Sequence, residues 1–329
     1  MSVIFIGDWL PRRQLEAMPG VGIRIGNLEC VFTDTASHND KAYESTLPID
    51  CLKHVENGGF SALSLANNHV YDAGELAFDR MVERLHVQCP ETQFFGTIEQ
   101  QYADLSLDGR HVAVIGCLEP CRSRGVRIFR QEDVLALIRR IRDDFDFVYV
   151  FPHWGKEGEY TRYPAPWQLK LARRWIDGGA DGVFGGHSHV FQGREVYKGK
   201  PIYYSLGNFH FPHPESNLYQ GTDVGLCVEI EDGKVEECFV RNGVLIEGAT
   251  ENKLLKELLE SISEPLKNWT TWKWARAVGS FNLKKNMASW KIRLQKNFAK
   301  TLPKLLIWQL LPKTVLFRIA SYMVKRGKR

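Results

Sequence analysis

Two imidazoles stand two residues apart in Gly185-Gly186-His187-Ser188-His189-Val190, just past a short apolar run. In an extended backbone, side chains at i and i+2 point to one side, so both rings could reach one metal centre. Asp8, Glu29, Asn68, His69 and His153 each follow a segment that reads as a buried strand. Divalent cations favour carboxylate, amide oxygen and imidazole donors, and a pair of ions needs one bridging carboxylate with several terminal ligands. The chain offers enough such donors for two ions.

The elements that must carry these residues read as an α/β domain. Val3 to Ile6, Phe60 to Leu65, Phe147 to Phe151 and Gly182 to Phe184 are short, apolar and β-branched. Between them Asp50 to Asn57, Glu75 to Leu85, Glu132 to Arg142 and Pro166 to Ile176 carry helical patterns. A hairpin is expected from Asp104 to Leu107 and His111 to Gly116 around Asp108-Gly109. From Val190 to Val240 the pattern turns β-rich: Gln192 to Tyr197 and Pro201 to Leu206 flank Lys198-Gly199-Lys200, while Gly225 to Ile230 and Val235 to Val240 flank Asp232-Gly233. Strands added after a βα core suggest two packed sheets with helices outside, and polar residues at strand ends suit a site at the sheet edge.

Charge divides the chain. Residues 253–329 hold 18 Lys/Arg against three Asp/Glu, so a net +15 resides there and −11 in the remainder. The composition changes near Ala249, which places a boundary between a domain over 1–248 and a basic, Trp-rich amphipathic helical tail over 249–329. Trp269, Trp272, Trp274, Trp290 and Trp308 lie among its basic residues, and Pro312 interrupts the apolar stretch 301–324. Such a tail suits an anionic membrane surface or an acidic polymer; helices folded back on the domain are the other reading. Nothing resembles a nucleic-acid fold.

The seven cysteines have no regular spacing, which argues against a disulfide framework and for reduced thiols. Neither a signal peptide nor a run long enough to span a bilayer is evident. The expected location is the cytoplasm, either free or peripheral at the inner face of the membrane.

The ordered segments Gly7-Asp8, Asn27-Leu28-Glu29, Asn67-Asn68-His69 with Asp72 and Gly74, His153-Trp154-Gly155 with Glu157, Gly186-His187-Ser188-His189 and Ser205-Leu206-Gly207-Asn208-Phe209 carry a resemblance. They resemble the CapA-type poly-γ-glutamate capsule biosynthesis family, within the calcineurin-like metallophosphoesterase superfamily, over roughly residues 1–245. The resemblance implies a four-layer αββα sandwich and a dinuclear site holding Mn, Fe or Zn. It implies that Asp8 and His189 bind one ion, that Glu29 bridges, and that Asn68, His153 and His187 bind the other. His69 would be a general acid or phosphate-side donor. Asn27, Asp72, Glu157 and Asn208 would orient ligands or touch substrate, and Arg12, Arg13, Arg122, Arg124 and Arg162 offer anion contacts. The sequence departs from the general superfamily pattern Asp-x-His, because Trp9 and Leu10 follow Asp8. The function implied is a metal-dependent phosphoesterase-like hydrolase of capsule or exopolysaccharide synthesis acting on a phosphoester or anionic polymer; a non-catalytic metal-stabilised component is the alternative.

Overall fold

In the computed structural model, residues 2–34, 45–119, 127–212 and 221–279 are described. The chain enters through β1 (Ser2–Trp9) and β2 (Gly22–Leu28), then a short pair, β3 (Val31–Thr33) and β4 (Thr46–Pro48). Helix α1 (Leu52–Glu56), strand β5 (Ala62–Ser64), helix α2 (Glu75–Gln88) and strand β6 (Gln93–Phe95) follow. The hairpin β7 (Tyr102–Leu107) and β8 (Arg110–Leu118) leads to α3 (Val134–Ile141), β9 (Phe147–His153), α4 (Pro166–Asp177) and β10 (Gly182–Phe184). Then come β11 (Arg194–Tyr197), β12 (Lys200–Tyr203), β13 (Asn208–His210), β14 (Val224–Glu231), β15 (Lys234–Arg241), β16 (Val244–Leu245) and α5 (Ala249–Ser263).

Two sheets result. One runs β16-β15-β14-β1-β2-β5-β6, with β13 also paired to β1; the other runs β11-β12-β10-β9-β8-β7. Residue alternation explains why β1 is apolar on both sides: Val3 and Phe5 enter the layer between the sheets, and Ile4 and Ile6 face the helix side. Phe5 stacks on Phe184 of the opposite sheet with centroids 3.8 Å apart. On β9, Tyr149 and Phe151 point inward while Val148 and Val150 pack with Leu137, Ile138 and Trp175 of α3 and α4. On the other outer face, α2 buries Phe78, Met81 and Leu85 at helical spacing. The layers are therefore helix, sheet, sheet, helix, as the family resemblance implies.

The Asp108-Gly109 and Asp232-Gly233 turns close their hairpins with both residues at positive φ, as a two-residue turn of this hand requires. The expected strand Pro201 to Leu206 stops at Tyr203 instead. At Gly207 (φ +70) the chain leaves the second sheet to become β13 of the first, and a Cβ there would lie 2.6 Å from Phe191 N. Only glycine fits that crossing.

Residues Met1–Trp274 form one compact unit, so packing continues past residue 248, where the composition changes. Leu259 and Ile262 of α5 are buried in the layer between the sheets, and Trp269 Nε1 donates to Pro164 O at 2.8 Å. The tail segment 301–324, with Trp290 and Trp308, lies outside the described residues. No helix among the described residues is long and apolar enough to cross a membrane.

Candidate metal centre

Strand register delivers the donors. At the end of β1, Asp8 is the parallel partner of Asn27 on β2 and of Asn208 on β13, and the β1 pairings shift register beside it. In the other sheet His153 ends β9 and bridges to Gly186. A Cβ at Gly186 would lie 2.7 Å from Asp8 Oδ1, and one at Gly7 would lie 1.9 Å from Gly207 O, so these glycines let the two sheet ends close on each other. The site thus forms where the carboxyl ends of both sheets meet.

His187 and His189 are not in an extended strand. Their φ values are +90 and +57, and their ring centroids lie 6.2 Å apart on a turn that follows β10. Extended geometry is what would let both rings share one ion; the left-handed turn separates them instead. Non-glycine residues rarely occupy this region, and such strain concentrates at functional sites.

Among the described residues, two groups of buried donors arise, Glu29 with His153 and His187, and Asp8 with Glu29 and His189. The ligand atoms in each lie within 4.8 Å of one another. Glu29 belongs to both. Its Oε1 is 3.3 Å from His153 Nε2 and 3.9 Å from His189 Nε2, yet neither carboxylate oxygen has a hydrogen-bond partner. Burial, then the Asp8 charge, pushes the Glu29 carboxyl up to about 8. A buried, unpartnered carboxylate beside a second carboxylate is costly unless a cation neutralises it. Asn68 Oδ1 lies 2.7 Å from His153 Nε2, and His187 Nδ1 lies 3.0 Å from the same nitrogen, so amide oxygen and imidazoles converge. Burial holds His153 down to about 3 and lowers His187 as well, which keeps both rings neutral as metal ligands require. The donor set fits divalent metal.

Around these groups runs an amide network. Asn27 Nδ2 donates to Asp8 Oδ1 at 2.8 Å, and Asn67 Nδ2 donates to Asn27 Oδ1 at 3.1 Å and to Leu28 O at 2.8 Å. Asn67 Oδ1 accepts from His69 N at 3.0 Å. In the sequence Asn67 belongs to the Asn67-Asn68-His69 segment, which assigns it no role of its own. His69 Nδ1 lies 2.7 Å from Asp72 Oδ2, with Nε2 3.8 Å from Glu29 Oε1. Burial lowers the His69 pKa, but the Asp72 hydrogen bond and the Glu29 and Asp72 charges outweigh it, so the net shift is upward. Asp72 is in turn held by Ser45 N at 2.8 Å.

Other sequence candidates fall away from the centre. Glu157 is exposed on a short 3-10 turn. The acid that acts on Glu29, His69 and His153 from that loop is Glu159. Its neighbour Tyr160 stacks on His189 with centroids 5.4 Å apart and φ +62, a contact that no sequence pattern announces. Arg162 sits over the Phe191 ring at 4.1 Å and donates to Phe191 O, so it is committed to its own wall. Arg12 and Arg13 are exposed, and Arg13 Nε donates to His210 Nε2 at 3.0 Å. Arg122 and Arg124 lie outside the described residues.

Four layers with carboxylates, amides and imidazoles gathered at the sheet ends define an α/β sandwich with a candidate divalent-metal centre. Comparison with known families carries this further, since the family described as bacterial capsule synthesis protein PGA_cap matches residues 8–213. The chain belongs to that family. It is 30% identical over 190 residues to the capsule biosynthesis protein CapA of Bacillus anthracis, covering 52% of this chain and 45% of the relative. It is 28% identical over 200 residues to the PGA biosynthesis protein CapA of Bacillus subtilis (strain 168), covering 56% and 52%. The chain spans about half the length of these curated relatives. Among solved structures, a 5'-nucleotidase precursor from Thermus thermophilus aligns with a TM-score of 0.48 and 15% identity, over 82% of this chain and 59% of that one.

Proposed function

We propose that this chain is a divalent-metal-dependent phosphoester hydrolase serving capsule or poly-γ-glutamate synthesis. The observation that carries the reading is Glu29, buried between three imidazoles with both oxygens unpartnered. On this reading two ions of Mn, Fe or Zn are held, one by Asn68, His153, His187 and Glu29, the other by Asp8, Glu29 and His189. Divalent ions so held supply Lewis acidity toward a phosphoryl oxygen and activate water. The remaining work falls to side chains. Asp72 holds His69 through Nδ1, which leaves Nε2 toward the centre and keeps the ring readier to carry a proton. On this reading His69 gives that proton to the leaving oxygen, a step typically worth about 10² to 10⁴ in rate.

The test is a panel of phosphomonoesters and phosphodiesters assayed with wild type and His69→Ala at matched metal content. Metal-dependent turnover that His69→Ala removes supports the reading; turnover indifferent to metal or to His69 overturns it. One observation favours a second reading, a non-catalytic metal-stabilised component that binds an anionic polymer. Leu10, fully buried, occupies the place of the Asp-x-His imidazole, which thins the donor set around Asp8. Metal binding without turnover of any phosphoester would select that reading.

A further inference from the structure

Of the three imidazoles among the candidate ligands, His153, His187 and His189, it is His189 that has its second nitrogen against an oxygen that is itself held in place. His187 Nε2 is buried with no partner, and His153 Nδ1 faces the Asn27 amide nitrogen at 3.2 Å. Opposite His189 stands Asn208, buried at the start of β13. Asn208 Nδ2 donates to Thr222 O at 2.8 Å. A carbonyl oxygen only accepts, so the amide nitrogen must face Thr222 and Oδ1 must face His189. That Oδ1 lies 2.9 Å from His189 Nδ1 and also only accepts, so Nδ1 carries the hydrogen. In the neutral ring the Nε2 lone pair is then bare on the side that faces Glu29 Oε1 at 3.9 Å.

We infer that Asn208 is a positioning residue that fixes His189 in its Nδ1–H tautomer and so presents Nε2 to an ion shared with Asp8 and Glu29. The backbone makes this specific. Asn208 is the register partner of Asp8, so one strand pairing delivers both the carboxylate and the group that orients the imidazole. Tyr160 stacked on the ring at 5.4 Å and Phe211 at 4.8 Å confine it further. The position is sparsely furnished, because Leu10 stands where an imidazole would add a donor. In the Nε2–H tautomer His189 would have no lone pair for it.

The inference rests on the proposed metal-dependent reading, but the tautomer is a property of the metal-free chain and is measured without metal or turnover. The experiment is a two-bond ¹H–¹⁵N correlation spectrum of the full metal-free chain labelled with ¹⁵N-histidine, with His189 assigned by its loss in His189→Ala. The expected wild-type pattern has a protonated Nδ1 and a bare Nε2. Asn208→Ala should shift His189 toward Nε2–H, and Asn208→Asp, which keeps an acceptor, should restore Nδ1–H. A wild-type Nε2–H tautomer, or an Nδ1–H tautomer unchanged in Asn208→Ala, overturns the inference; the wild-type spectrum alone decides if Asn208→Ala does not fold. A Mn²⁺ titration adds the consequence: Asn208→Ala should weaken one ion about 10- to 100-fold and Asn208→Asp should recover it. Should wild type bind no Mn²⁺ while showing Nδ1–H at His189, the functional reading fails and the tautomer assignment stands.

Discussion

The two ends of the sandwich are built on opposite terms. At the carboxyl ends of β1, β2 and β9, Asp8 and Glu29 are fully buried, Glu29 has no hydrogen-bond partner, and Tyr160, His187 and His189 sit at positive φ. At the other end positive φ falls in the Asp-Gly hairpin turns 108–109 and 232–233, where such turns require it, beside a cleft lined by Val3, Phe147, Asp181 and Lys200. Its charges are paired: Asp181 accepts from Arg142 Nη1 at 2.6 Å, Lys200 Nζ at 2.7 Å and Val148 N at 2.9 Å. One end satisfies itself, whereas the other is short of positive charge. Among the described residues, Glu29 is the buried carboxylate whose two oxygens both lack a hydrogen-bond partner, and it stands where a cation would remove the deficit.

Substitutions at the two ends should therefore have opposite signatures. The largest effect is expected from Glu29→Ala, which removes the donor common to both groups; metal content measured by mass spectrometry should fall to background. In metal-free protein Glu29→Gln should raise the melting temperature, because it deletes a buried carboxylate without a partner. At the far end Asp181→Ala should do the reverse, costing about 2 to 3 kcal/mol by removing the acceptor that Val148 N, Lys200 Nζ and one Arg142 nitrogen share, while metal content stays at the wild-type level. Chemical denaturation distinguishes the two.

The pH dependence of metal-free stability follows from the same end. Glu29 keeps its proton up to about 8 when folded but ionises near 4.5 when unfolded, so stability falls as pH rises between those values. His69, raised above 6.5, acts in the same sense. His153 is held down to about 3 and His187 is also lowered, so their contributions are present above 6.5 and are lost as pH falls. Below 6.5 the two lowered histidines outnumber Glu29. The melting temperature should peak near pH 6.5, and Glu29→Gln should flatten the alkaline side. The smallest effect is expected from Gly109→Ala, where a Cβ meets nothing within 4 Å but φ is +77: about 1 kcal/mol of strain, with metal binding unchanged.

Legibility in the sequence also differs between the ends. Asp108-Gly109 and Asp232-Gly233 announce their hairpins because turn chemistry is local. The donors Asp8, Glu29, Asn68, His153, His187 and His189 are readable because each follows an apolar run, and the structure brings them together. What local pattern does not carry is the backbone that joins them. The left-handed turn at His187 and His189, the crossing at Gly207 and the ring of Tyr160 over His189 depend on contacts between segments far apart in the chain. Glu157, which by motif would orient a ligand or touch substrate, is exposed on the turn that follows Gly155 (φ +89). The compositional change near Ala249 is likewise visible, while the burial of Leu259 and Ile262 between the sheets depends on partners elsewhere in the fold.

The central claim is that Glu29 joins two metal positions at the meeting edge of the sheets, and anomalous scattering from crystals soaked in Mn²⁺ tests it most directly. Two anomalous peaks are expected flanking the Glu29 carboxylate, one beside His153 and His187 and the other beside Asp8 and His189. Crystals that show no peak within ligand distance of Glu29 would contradict it.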